Sequence, residues 1–192
     1  MNEKKRGLAG WKTRDLLVTA VISIVFGLLL LPVNILDVWL QSFAILFAPL
    51  AYGLWAIPAI LVMYIVRRPG AAILTLFLAG IVQIPFNPYG WLIVVTQLLT
   101  GVICELTFTV TRYRRFTLPI LMISGVVMAL FTHMSTYAAY GLANLSVSLQ
   151  ILMVLFAVAS GVFAGWLAKT IGDAIAQTGV LNNFILNNET AD

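Results

Sequence analysis

The chain has 192 residues, 61% hydrophobic and only 9% charged, against roughly a quarter charged in an ordinary soluble domain. With a mean hydropathy of +1.02, this composition excludes a water-soluble domain and a disordered chain. Despite a formal charge of +4 it also excludes a nucleic-acid partner, because the basic residues of so apolar a chain read as loop markers at a bilayer surface.

A membrane helix needs about 20 apolar residues. Six of them use most of the chain and leave no room for a second domain. The expected fold is therefore one all-α integral membrane domain over 1–192. Span one runs from Leu16 to Pro32. No small-x-small cleavage pattern follows it, so it reads as a retained helix rather than a signal peptide. Span two covers about 45–66; its start falls between Phe43 and Pro49, and Pro58 lies inside it. Proline suits a first helical turn and is tolerated within membrane helices. Span three is short, from Ala71 to about Ile84, before Pro85. Span four runs from Tyr89 to about Val110, span five from Leu118 to Tyr140 and span six from Leu149 to Ile171. Residues 172–192 read as a polar tail with a weakly apolar stretch at 180–186.

The eleven Lys and Arg residues set the orientation. Lys4, Lys5, Arg6, Lys12 and Arg14 precede span one; Arg67 and Arg68 separate spans two and three; Arg112, Arg114 and Arg115 separate spans four and five; Lys169 ends span six. The other connections, Val33 to Ser42, Pro85 to Pro88 and Gly141 to Ser148, carry none. This positive-inside pattern predicts six spans with both termini in the cytoplasm.

Polar side chains inside a bilayer are costly and mark function. His133, Thr136, Tyr137 and Tyr140 share one face in the outer half of span five. They form either a polar seam between helices or a wall of a ligand site. Gln83 ends span three, and Asn87, Tyr89 and Trp91 follow it. Gln97, Gly101 and Glu105 lie on one face of span four. Glu105, the one carboxylate inside a span, lies about 22–24 Å below the outer end. It reads equally as a counter-charge for a cationic ligand or as a partner for cytoplasmic arginines. The first outer connection holds Asp37, Trp39 and Gln41. Trp39, Tyr89 and Trp91 read individually as interfacial belt residues. With Gln83, Asn87, His133, Tyr137, Tyr140 and Asn144 they form a polar-aromatic rim at the outer face. Such a rim suits a small, flat, water-soluble and cationic molecule, through stacking, cation–π attraction and hydrogen bonds to ring nitrogens.

Two strips of small residues permit close helix approach: Thr19, Ser23 and Gly27 in span one, and Ala157, Gly161 and Gly165 in span six, flanked by Ser160, Ala164 and Ala168. One of them is expected to face a partner subunit. Cys104 reads as packing. There is no phosphate-binding loop, no His-Glu-x-x-His pair and no cysteine cluster, so no enzymatic site, metal site or cofactor is expected. The lack of a long internal repeat weakens a secondary-transporter reading.

The six spans, short loops, small-residue strip in span one and outer polar-aromatic rim, with Ile84-Pro85-Phe86-Asn87-Pro88-Tyr89-Gly90-Trp91, resemble a substrate-binding S component of an energy-coupling factor (ECF) transporter, of the YkoE type. The resemblance implies capture of thiamin or a related aminopyrimidine from outside, then delivery by docking on a transmembrane coupling subunit served by two ATP-binding subunits. It implies a bacterial plasma membrane location. It assigns the rings to Trp39, Trp91, His133 and Tyr137, leaves Asp37 and Glu105 competing for the carboxylate, and makes the first outer connection a lid. It also places docking on Thr19, Ser23 and Gly27, where the family's Ala-x-x-x-Ala strip is replaced. Two alternatives stand beside it: a structural subunit of another membrane complex that binds no ligand, and a small proton-coupled carrier using Glu105.

Overall fold

The computed structural model describes residues 11–178, and among these every regular element is a helix. The basic cluster Lys4, Lys5 and Arg6, and the tail beyond Thr178, lie outside the described residues.

Helix α1 spans Thr13–Leu29. Its first turn is tied by the Asp15 carboxylate, which accepts from the Lys12 N–H at 3.2 Å and pairs with Arg68 at 3.5 Å. Helix α2, Leu31–Phe43, follows at a 43° bend, and the two together are apolar enough to cross a bilayer. Pro32 sits in the first turn of α2, where its missing N–H costs nothing. The expected outer loop over 33–42 is therefore helical. Asn34 and Asp37 occupy its buried face and Ile35, Leu36, Trp39 and Phe43 its exposed face. Inverted amphipathicity of this kind reads as a polar loop by composition, yet it suits a helix with polar neighbours on one side and lipid on the other.

The second span, Ile45–Val66, is broken into short pieces: 3-10 turns at Ile45–Phe47 and Gly53–Ala56 alternate with α3, Pro49–Tyr52, and α4, Ile57–Val66. Pro49 and Pro58 each open a helical piece. Backbone groups freed by such breaks need partners inside a membrane. Ser160 supplies them: the Gly53 N–H donates to its Oγ at 2.9 Å, and that hydroxyl donates to the Leu50 carbonyl at 2.7 Å. All ten residues of α4 are buried, as expected for a segment apolar on every side.

Helix α5, Ala71–Gln83, is short and continues as a 3-10 turn at Ile84–Phe86. Helices α6, Leu92–Val110, α7, Leu118–Tyr140, and α8, Val147–Gln177, complete the bundle. Two of the boundaries that differ from the sequence reading involve polar contacts. Tyr89 lies in a turn before α6, closed by the Asn87 Oδ1 accepting the Tyr89 N–H at 2.9 Å. Helix α8 continues through 172–177, where Asp173 accepts from the Tyr64 hydroxyl at 2.7 Å and pairs with Lys169.

Both small-residue strips pack inside the chain. The hydroxyls of Thr19 and Ser23 are fully buried and donate to carbonyls of their own helix at 2.8 and 2.6 Å. A Cβ added at Gly27 would meet Val82 and the Ala79 carbonyl of α5 at 3.0 and 3.2 Å. The expected docking strip Thr19, Ser23 and Gly27 is thus the α1–α5 seam. On α8, a Cβ at Gly161 would lie 2.5 Å from the Val126 Cα, so this strip is the α7–α8 crossing.

Candidate functional site

A cleft of about 470 Å³ opens at the end of the bundle away from the arginine-bearing turns. Five parts of the chain build it. Helix α2 contributes Asp37 and Gln41, which at i, i+4 share a face, and the Gln41 amide donates to Asp37 Oδ2 at 2.6 Å. The broken second span contributes Tyr52 and Trp55. Tyr89 comes from the α5–α6 turn, Thr96, Gln97 and Thr100 from α6, and Phe131, Thr132, Ser135, Thr136 and Tyr140 from α7. At the mouth the hydroxyls of Tyr89 and Tyr140 stand 3.4 Å apart.

The threonine hydroxyls of this wall are spent on backbone carbonyls of their own helices: Thr96 on Ile93, Thr100 on Thr96, Thr132 on Met128 and Thr136 on Thr132. Other polar atoms are left over. Asp37 Oδ1, Gln41 Oε1 and Gln97 Nε2 are buried and have no hydrogen-bond partner. The Tyr52 hydroxyl, beside Thr136, also lacks a bond of proper geometry. Asp37 is only 8% exposed. A buried polar atom without a partner costs about 1–3 kcal/mol, and more when charged. Several of them around one cleft therefore describe a surface complementary to something polar. The rings of Tyr52, Trp55, Tyr89, Phe131 and Tyr140 supply flat apolar walls.

The cleft gathers three of the expected site residues, Tyr89, Gln97 and Tyr140. His133 lies behind the wall, its ring 6.2 Å from that of Tyr52 and 6.4 Å from that of Tyr137, with its Nδ1 buried and unpartnered. Tyr137 faces α8, donating to Gln150 Oε1 at 3.3 Å. Gln83 accepts from the Asn34 amide at 2.8 Å and pins α2 to the end of α5. Asn87 closes its own turn. These residues shape the cleft without lining it.

Two tryptophans and Glu105 correct the sequence reading more sharply. Trp39, two residues from Asp37 on a helix, points the opposite way; it is 54% exposed and packs on Phe43 at 5.8 Å. Trp91 is 71% exposed at the start of α6. Glu105 lies at the other end of the bundle. Its carboxylate accepts from the N–H groups of Gly70 and Ala72 at 2.7 and 3.3 Å, which are orphan donors at the start of α5. It also accepts from the Tyr113 hydroxyl at 2.7 Å. Burial, with that carboxylate beside it, pushes the Tyr113 phenol up to about 12, so it stays a donor at neutral pH. Glu105 therefore acts as a helix cap.

Sequence reading weighed Asp37 but missed Tyr52 and Trp55, which sit in a strongly apolar stretch. The one signal for them was an aromatic pair placed between two prolines. Thr96, Thr100 and Thr132 gave no signal beyond their residue type.

Comparison with known proteins follows the same lines. Residues 14–131 match a family described as the permease component of an ABC-type cobalt transport system. The chain is 32% identical to YkoE of Bacillus subtilis (strain 168), a protein named as an HMP/thiamine permease, over 95% of this chain and 93% of that one. A crystal structure of an S component of an ECF transporter superposes with a TM-score of 0.87 at 30% identity, covering 95% of this chain and 94% of that one. The family is one of membrane transport proteins, not enzymes. The chain belongs to the S components of ECF transporters, of the YkoE type.

Proposed function

We propose that this chain captures thiamin or a related aminopyrimidine in the cleft around Asp37 and delivers it inward as the substrate-binding subunit of an ATP-driven uptake system. The observation that carries this reading is the buried Asp37 carboxylate with one oxygen unpartnered beside Gln41, Gln97 and an aromatic wall. An uncompensated buried carboxylate is expensive. A ligand with a positive charge or amino N–H groups removes that penalty on binding. Gln41 and Gln97 offer an acceptor and a donor to ring nitrogens and amino groups, and the rings stack on a flat heterocycle. A cationic ring adds about 0.5–2 kcal/mol through its attraction to aromatic faces. The name of the Bacillus relative agrees with this chemistry.

A cobalt substrate, suggested by the family description, fits less well. Among the described residues no group of three or more His, Cys, Asp and Glu side chains gathers. The donors around the cleft are one carboxylate, two amides and hydroxyls, suited to an organic cation rather than to a transition metal. Proton coupling through Glu105 is disfavoured because that carboxylate caps α5.

We further take the chain to cross the plasma membrane of a bacterial cell six times with both ends in the cytoplasm. Four helical stretches meet the length and hydropathy expected of a span; we count the bent pair α1 and α2 as a fifth and the shorter apolar stretch Ala71–Phe86 as the sixth. Delivery requires a coupling subunit and two ATP-binding subunits. Because Thr19 and Ser23 are fully buried and Gly27 packs against α5, docking falls to another surface.

The test is uptake of labelled thiamin and hydroxymethylpyrimidine by cells that make this chain with and without a coupling subunit and its ATPases. We expect uptake that requires the whole set and falls at least tenfold with Asp37→Asn. Uptake indifferent to the partners, or unaltered by Asp37→Asn, would contradict the proposal.

A further inference from the structure

The seam between α6 and α7 changes character along its length. At the far end from the ligand cleft it forms a groove of about 430 Å³. Ile103, Leu106 and Val110 wall it on α6, and Ile120, Ile123 and Val127 on α7. Thr107 and Thr111 also border it, but their hydroxyls are committed to the Ile103 and Phe108 carbonyls at 3.3 and 2.9 Å. The groove wall therefore offers no free polar group. Leu106, Val110 and Ile123 are all more than half exposed, so nothing within the described chain covers them. This is unlike the α7–α8 crossing, where backbones meet at Gly125 and Gly161.

The groove ends at the α6–α7 turn, which carries Arg112, Arg114 and Arg115. All three are exposed and form no ion pair with a described residue. Two other basic groups at this end are engaged: Arg68 pairs with Asp15, and Lys169 with Asp173. The turn is tight, with Arg112 and Tyr113 both in the left-handed region at φ 53° and 55°. It places the three arginines directly after Val110 and Thr111, which border the groove.

We propose that this groove is a binding site for an anionic phospholipid, with an acyl chain lying in the α6–α7 seam and the phosphate on the arginine turn. The charge complementarity selects the headgroup, and the apolar wall selects the chain. A free phosphate satisfies only the first and a neutral lipid only the second. Basic pockets between membrane helices at the cytoplasmic surface have this chemistry. An acidic segment of a protein partner satisfies the arginines but leaves the groove empty, so the lipid is the better occupant.

The test is native mass spectrometry of the full chain in detergent, titrated with palmitoyl-oleoyl phosphatidylglycerol or with phosphatidylcholine of the same chains. We expect saturable binding of phosphatidylglycerol at least tenfold tighter than of phosphatidylcholine. Combining Arg112→Gln, Arg114→Gln and Arg115→Gln removes that preference, since each basic residue contributes to headgroup attraction. Ile123→Trp, which fills the groove at an exposed position, weakens phosphatidylglycerol several-fold with the arginines intact. Thiamin affinity in the same samples reports folding and stays unchanged. Equal affinity for the two lipids overturns the proposal. So does a triple variant that keeps its lipid preference but no longer co-purifies with a coupling subunit, because the arginines then serve a protein.

Discussion

Asp37 and Glu105 are two buried carboxylates put to different use by their surroundings. Glu105 spends its oxygens on two backbone N–H groups and a phenol, whereas Asp37 keeps one oxygen unused at the edge of a cleft. Glu105→Gln should lower thermal stability, by about 1–3 kcal/mol for a weakened charged cap, and leave thiamin affinity unaltered; calorimetry and thermal melts read the two effects separately. Trp91→Ala should change neither, since the ring is exposed, and a clear loss of affinity would relocate the site. The sequence held both carboxylates in view but could not rank them. Depth along a helix is legible from the 1.5 Å rise, whereas the α5 N-terminus waiting for a cap is a contact between distant segments.

At the scale of the element, α2 and the small-residue strips were the hardest to read. Asn34, Asp37 and Gln41 recur at helical spacing, yet their polarity suggested a loop because a membrane helix is expected to hide nothing polar. The strips were legible as close-contact faces, but a strip does not say which helix it meets. The structure answers for both: α5 against α1 and α7 against α8. Ser23→Leu should therefore reduce the stability of the isolated protein, by about 1–3 kcal/mol for overpacking; a variant as stable as the parent but defective only in the assembled transporter would restore the docking reading. Gly161→Val should be at least as damaging, since its Cβ would fall 2.5 Å from the Val126 backbone.

For the whole molecule, fold class was the most legible feature, because composition and the placement of every Lys and Arg both follow from the bilayer as solvent. The broken second span was visible as Pro49 and Pro58, though Ser160 as the residue that repairs it was not. Orientation is open to a direct check. In a Cys104→Ala background, chosen because Cys104 is fully buried, Asn144→Cys, in the exposed turn between α7 and α8, should react with a membrane-impermeant maleimide on intact cells and Arg114→Cys should react only after lysis. The reverse pattern would invert the topology and place the cleft inside.

The central claim is that a cleft built around Asp37 binds a thiamin-like cation, and titration calorimetry of the purified full chain tests it most directly. Thiamin and hydroxymethylpyrimidine would each be titrated into the parent and into Asp37→Asn. We expect saturable one-to-one thiamin binding by the parent, weakened by about 10- to 100-fold in the variant, the scale of a lost charge-assisted hydrogen bond. No heat with either compound, or equal affinity in the two proteins, would contradict it.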